Sequence, residues 1–177
     1  MKSAMNTPEA FRIGMAAAAD REEVMALYRL QKGRKYCSWN DAYPAVENFE
    51  DDIAHDALFV MRTPAGEIIG AVSIERDPDV DVLPCWNPAL QPAGEIARLA
   101  VHPAYQGRGL ARKLVGFIME ELQRRGYRSI HLLVNSRNEP ALRSYEAFCF
   151  ERAGECEMYG QHFLCYEKPL EQPQISS

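Results

Sequence analysis

No stretch of this chain is long and apolar enough to span a bilayer, and the short run at Ala16–Ala19 stops at Asp20. Met1 to Ala10 lacks the apolar segment of a signal peptide. Both absences point to a cytoplasmic protein without a membrane partner. A basic excess is lacking too: 25 Asp and Glu outnumber 20 Lys and Arg, for a formal net charge of −5. A nucleic-acid partner is therefore not expected, because neutralising phosphates takes a basic face. Cysteine is sparse and odd in number; Cys37, Cys85, Cys149, Cys156 and Cys165 show no framework spacing, which suits reduced thiols. Cys156, His162 and Cys165 match zinc spacing poorly, so no metal is expected, and His102 and His131 read as packing residues. Internal repeats and low-complexity linkers are absent.

What is present is an ordinary folded-domain composition over 177 residues, 47% apolar and 25% charged. That length suits one domain, 1–177, with a core at about 10–170. Phe11, Ile13 and Met15 alternate as a first strand. Asp20 and Glu23 open a helix whose stripe is Val24, Leu27 and Tyr28. A second helix is predicted from about Pro44 to His55, with Val46, Phe49 and Ile53 inward. Leu58–Met61 and Ile68–Ile74 read as a hairpin turned by Thr63–Gly66. Residues 75–92 carry Pro78, Pro84, Pro88 and Pro92 and read as a long loop. A strand follows from Glu95 to Val101. A helix runs from about Gly109 to Arg125, its apolar face made by Leu110, Leu114, Phe117, Ile118 and Leu122. Ser129–Val134 is a buried strand, Asn138 caps a short helix, and two strands near 151–157 and 161–167 complete the order. This is an α/β fold: a mixed sheet covered by helices.

Gln106-Gly107-Arg108-Gly109-Leu110-Ala111 lies between a strand and a helix. Glycines allow close backbone approach to a ligand, and the helix start offers unpaired amides and the positive end of its dipole. Together they suit a pyrophosphate. The plain alternative is a glycine turn that merely starts a helix. A dinucleotide fingerprint would need a small residue where Arg112 stands, and a Walker loop would need Gly-Lys-Ser/Thr.

This segment resembles the signature of the GNAT family of N-acetyltransferases, Gln/Arg-x-x-Gly-x-Gly/Ala after a strand and opening a helix; Gln106, Gly109 and Ala111 match it. The family's next segment is matched by Asn138, Ala141, Tyr145 and Phe150, with Cys149 in place of the usual glycine. The resemblance covers roughly residues 10–170 by element order, and its specific part is 95–150. It implies a mostly antiparallel mixed sheet of about seven strands with helices on both faces, and acetyl-CoA as co-substrate without a metal. It places backbone contacts to the pantetheine arm near Leu99, Ala100 and Val101, and the pyrophosphate on the amides from Gly107 through Arg108, Gly109, Leu110 and Ala111 to Arg112. Asn138 would touch pantetheine or cap its own helix.

The implied reaction is direct attack of an amine on the thioester. Leu99 N–H is the implied oxyanion donor. Tyr145 holds the family's acid position; the alternative is a buried packing tyrosine. Glu95 to Ala111 aligns without gaps on the histone-acetyltransferase branch, whose catalytic glutamate falls on Glu95. The base is then Glu95 or water, the alternative for Glu95 being an exposed strand-end carboxylate.

Charge is uneven. Segment 98–128 holds seven Lys or Arg and two Glu, while 40–56 holds six acids and no Lys or Arg, and 75–92 four acids and one Arg. By resemblance the first faces CoA and the others frame the acceptor. Asp41, Glu47, Asp51, Asp52, Asp77, Asp79 and Asp81 are the candidate contributors, with Trp39 and Trp86 lining a pocket or simply buried. The expected acceptor is the primary amine of a small cationic molecule. The alternatives are a protein or peptide N-acetyltransferase and a non-catalytic acyl-CoA-binding module. Leu133, which stands where the ribosomal-alanine branch carries a base glutamate, weighs against the peptide reading. A homodimer is compatible with the sequence.

Overall fold

The computed structural model describes residues 10–171; the stretch Met1–Glu9, most of the segment without signal-peptide character, lies outside them. Seven strands form one sheet in the order β1-β2-β3-β4-β5-β7-β6. They are β1 (Arg12–Met15), β2 (Leu58–Arg62), β3 (Ile68–Glu75), β4 (Ala93–Val101), β5 (Ser129–Asn135), β6 (Glu151–Met158) and β7 (Gln161–Pro169). Every neighbouring pair is antiparallel except β4 and β5.

Alternation along the strands sends side chains to two faces. Phe59, Met61, Ile69, Val72 and Ile74 join one core with α4 (Leu110–Arg124), through Leu114, Ile118 and Leu122, and with Tyr145 of α5 (Glu139–Ala147). Leu58, Val60, Ile68 and Ala71 point the other way, onto Val24, Leu27 and Tyr28 of α1 (Arg21–Arg29) and Phe49 of α2 (Val46–Ala54). The mixed, mostly antiparallel seven-stranded sheet with helices on both faces is thus present as the family resemblance implied.

Segment 75–92 is more ordered than its prolines suggested. Pro78–Asp81 forms a short helix, α3, capped by Asp77, and Pro88–Leu90 a 3₁₀ turn capped by Asn87. Proline suits the first position of a helix, where its missing N–H costs nothing. Val80 and Trp86 turn inward onto Cys165 of β7, and the Trp86 indole N–H donates to the Val80 carbonyl at 2.8 Å. Trp86 is therefore a core residue, away from the cleft that Trp39 lines.

Two irregularities in β4 open the sheet. Ala97 pairs with Ser73 and Ala100 with Ala71, so β4 carries one more residue than β3 between these points, and Arg98 takes φ +49. This is a β-bulge, which kinks a strand and re-aims its side chains. In addition, β4 pairs with β5 only from Ala93–Ser129 to Glu95–His131. Beyond Glu95 the two strands part.

Candidate active site

The gap left by the parting strands is a cleft of about 1060 Å³. Its walls include Ile96 to Leu99 of β4 and Leu132 to Asn135 of β5. Gln106, Asn138 and Tyr145 lie along one stretch of it, and Trp39, Tyr43, Glu75, Asp77, Glu95 and Tyr159 along another.

At one end lies the glycine turn. Gly107 and Gly109 adopt φ +78 and +74, the left-handed region that glycine enters without penalty. A Cβ at either would meet nothing within 4 Å, so no packing demand explains the glycines; only backbone conformation does. Gly109 caps α4, and the first bond back into that cap is from Lys113 N–H. The amides of Leu110, Ala111 and Arg112 have no protein partner among the described residues. Leu110 is buried and pins the helix start to the core, while Arg112 stacks over Phe148 and Arg108 over Tyr105. This concave, amide-lined helix start fits a pyrophosphate. Gln106 accepts a hydrogen bond from Arg34, tying the turn to the segment after α1.

Of the three β4 positions assigned to the pantetheine arm, Leu99 faces the cleft. The side chains of Ala100 and Val101 are buried on opposite faces of the sheet, and the Val101 carbonyl accepts from Gln31 at 3.0 Å. Asn138 caps α5, its side chain accepting from Ala141 N–H at 3.3 Å, and also lines the cleft. The cap role is thereby present, whatever contact a ligand adds. Tyr145 packs edge-on against Phe150 at 5.3 Å, and its hydroxyl has no hydrogen-bond partner among the described residues. Burial pushes this phenol far above its usual value, so it is a neutral O–H donor at any working pH. Cys149, in place of the family's glycine, adopts φ +65. Its N–H bonds Glu146 and Phe150 N–H bonds Tyr145, so the helix-ending turn keeps a glycine-like geometry despite a side chain.

Glu95 is not the exposed strand-end carboxylate that was one expectation. It is 6% exposed, and Oε2 has no hydrogen-bond partner among the described residues. Burial, with Glu75, Asp77 and Asp81 nearby and only Arg98 opposing, pushes its carboxyl up to about 9. Such a group holds its proton at neutral pH until a cation arrives beside it.

Arg98 is a site residue that the sequence motifs do not mark, although a charged residue inside the run Ile96-Ala97-Arg98-Leu99-Ala100-Val101 was its signal. It reaches Asp52 of α2 at 2.8 Å, Glu75 of β3 at 2.5 Å and the Tyr43 hydroxyl at 3.1 Å. Asp52 also accepts from Ser73 at 2.6 Å. This overturns the place given to Asp52 among the acceptor-attracting carboxylates: it is 2% exposed and neutralised. Of that group only Asp77 lines the cleft, where it accepts from the Tyr159 hydroxyl at 2.6 Å. Among the described residues no group of three or more His, Cys, Asp or Glu could hold a metal, and no helix is long and apolar enough to cross a membrane.

A sheet split beside an amide-lined helix start, with an acid and a base candidate along the split, defines an acyl-CoA-dependent transferase. The model of the acetyltransferase (GNAT) family matches residues 24–150, and the chain belongs to that family. An acetyltransferase of Sodalis glossinidius is 27% identical over 146 residues, covering 82% of this chain and 90% of that one. A GNAT acetyltransferase of Listeria monocytogenes superposes with a TM-score of 0.72 at 25% identity, covering 90% and 95%. A Salmonella typhimurium protein described as an acetyltransferase with its cofactor acetyl-CoA superposes at 0.69 with 19% identity, covering 95% and 98%. The chain is an acetyl-CoA-dependent acetyltransferase.

Proposed function

We propose that the chain acetylates the primary amine of a small cationic molecule by direct attack. The observation that carries this reading is the acceptor stretch of the cleft: aromatic walls from Trp39, Tyr43 and Tyr159 beside the carboxylates of Glu75, Asp77 and Glu95. Aromatic faces and the Asp77 carboxylate attract an ammonium ion, and Glu95 ionises once that cation sits beside it.

Bound acetyl-CoA supplies an acyl thioester to the split between β4 and β5. The free amides at the start of α4 hold its pyrophosphate, Gln106 and the turn glycines shape that cradle, and the Leu99 N–H donates to the carbonyl oxygen as charge develops there. Glu95 takes the proton from the ammonium group, directly or through one water, so that a neutral nitrogen attacks. Tyr145 donates its hydroxyl proton toward the sulfur as it leaves.

The test is an amine panel read by free-CoA release: a polyamine, an aminoglycoside, an arylalkylamine, neutral and acidic amino acids, and an alanine-started peptide. Cationic small amines should turn over fastest, and kcat/KM should fall as salt rises towards 0.5 M, where screening cuts the reach of the field to under ~10 Å. Asp77→Asn should raise KM more than it lowers kcat. A panel led by the peptide or by an acidic amino acid would reject the acceptor class. Gly109→Asp, which sets a carboxylate at the pyrophosphate cradle, should abolish CoA binding by calorimetry.

A further inference from the structure

A row of ionisable side chains crosses the sheet beneath α3. Glu75 of β3 is in register with Glu95 of β4, Glu95 with His131 of β5, His131 with Glu167 of β7, and Glu167 with Glu151 of β6. Residues in register share a face of the sheet. That face is the one opposite α4, since the neighbours Ile74, Ile96, Ile130, Leu132 and Tyr166 all join the α4 core. Exposure rises outward along the row, from Glu95 at 6% and His131 at 1% to the half-buried Glu167 and the exposed Glu151.

His131 is the odd member. It is a buried imidazole with neither ring nitrogen hydrogen-bonded among the described residues. A purely structural buried histidine ordinarily satisfies at least one of them. Its ring is stacked on Trp86 at 4.2 Å, with 25° between the planes, which fixes its orientation. Nε2 lies 3.4 Å from a carboxylate oxygen of Asp81, whose side chain is 53% exposed. On its two strand neighbours Glu95 stands in register with it on one side and Glu167 on the other.

We propose that His131 is a proton relay, passing the proton that Glu95 takes from the acceptor amine to Asp81 and solvent. This rests on the reading of Glu95 as the base. The need for such a route is geometric. Glu95 opens on the cleft, where bound acetyl-CoA and acceptor would displace water, while His131 and Asp81 do not line it. The steps balance without a co-reactant. The ammonium N–H bond breaks as a Glu95 O–H bond forms. Glu95 then gives that proton to one ring nitrogen of His131, and Nε2 gives its own to Asp81, which loses it to water.

The energetics allow the path. Burial pushes His131 down to about 4, so the ring is neutral between turnovers and free to accept. From Glu95 at about 9 to His131 at about 4 the proton climbs by a population factor of about 10⁵. The charged and titratable groups around the pair are Glu75 and Arg98, Asp77 and Asp81, Tyr43, Tyr159 and Glu167. Among them Arg98 is already neutralised by Asp52 and Glu75, and Asp81 lies closest to the ring.

The experiment uses the best amine of the panel and compares wild type, His131→Phe, Asp81→Asn and Glu95→Gln. Phenylalanine keeps the ring stack on Trp86 and cannot carry a proton. His131→Phe should lower kcat by about tenfold or more in dilute buffer, leave CoA affinity unchanged, and regain rate as imidazole buffer rises to about 0.1 M, while wild type is indifferent to buffer. Asp81→Asn should give a smaller loss with the same buffer response. A slow His131→Phe that buffer does not rescue would mark His131 as structural. An unchanged kcat would exclude the relay, provided Glu95→Gln is slow. Wild-type rates in Glu95→Gln would overturn the base assignment and the relay with it. Should His131→Phe fail to fold, His131→Gln read by the same buffer titration decides.

Discussion

The Arg98 guanidinium and the Asp52 carboxylate meet at 2.8 Å with only 1% and 3% of their side chains exposed. The contact joins the β4 bulge to α2, so it fixes the strand that lines the cleft against the helix beneath it. Removing one partner of a buried pair leaves an uncompensated charge, which costs about 3–5 kcal/mol. Because Glu75 remains beside Arg98, Asp52→Ala should fall at the lower end. At about 2–4 °C per kcal/mol for a chain of this size, its thermal midpoint should drop by about 6–12 °C. A drop under about 2 °C would mean that Glu75 alone compensates Arg98.

Glu95 makes stability and rate depend on pH in opposite senses. Its folded value of about 9 lies above the ordinary 4.5, so the folded protein holds a proton that the unfolded chain releases. The stabilising contribution is complete below pH ~4.5 and is lost as pH rises towards ~9, at up to about 1.4 kcal/mol per pH unit. Glu95→Gln, which keeps the neutral form, should therefore match wild type in denaturant melts near pH ~4.5 and exceed it increasingly up to pH ~8. The rate behaves the other way, because the base works ionised: kcat/KM of wild type should climb towards pH ~9, and the variant should lack that limb. Parallel pH–stability curves for the two proteins would show that Glu95 ionises normally.

Tyr145→Phe deletes a hydroxyl that holds no structural hydrogen bond among the described residues, so little stability should be lost. The expected effect is on turnover: a fall in kcat of about 10²–10⁴-fold with CoA affinity nearly intact. Undiminished turnover would make Tyr145 a packing residue and leave the sulfur to depart as thiolate.

Cys149 sits at φ +65 with its side chain exposed. An L-residue in that region costs about 1–2 kcal/mol that glycine avoids. Cys149→Gly should raise the thermal midpoint by about 2–8 °C without changing kcat or KM. A lower midpoint would show that the flexibility glycine adds to the unfolded chain outweighs the relieved strain.

The sequence alone determined the parts whose cause is local. A glycine pair before an amphipathic run must turn and start a helix with free amides, and Asn138 ahead of Glu139 and Pro140 must cap one. Hydrophobic periodicity and turn residues placed the strands and helices to within a few residues, because these signals act over a single turn or strand. Tertiary structure decided everything that depends on which distant residues meet. Residues 52, 75 and 98 are scattered along the chain, and nothing in their neighbourhoods says that they form one buried cluster. For Glu95 the sequence leaves a base and an exposed strand-end carboxylate side by side; only the closure of the acids at 75, 77 and 81 around it shows that it is buried. The row from Glu75 to Glu151 exists only because five strands fall into one register, and register is a long-range choice, made where the sheet packs on α4. The chemistry of the acyl donor was therefore legible in a short motif. The raised protonation of Glu95, and the register that sets His131 beside it, arise from burial and strand order that no local pattern carries.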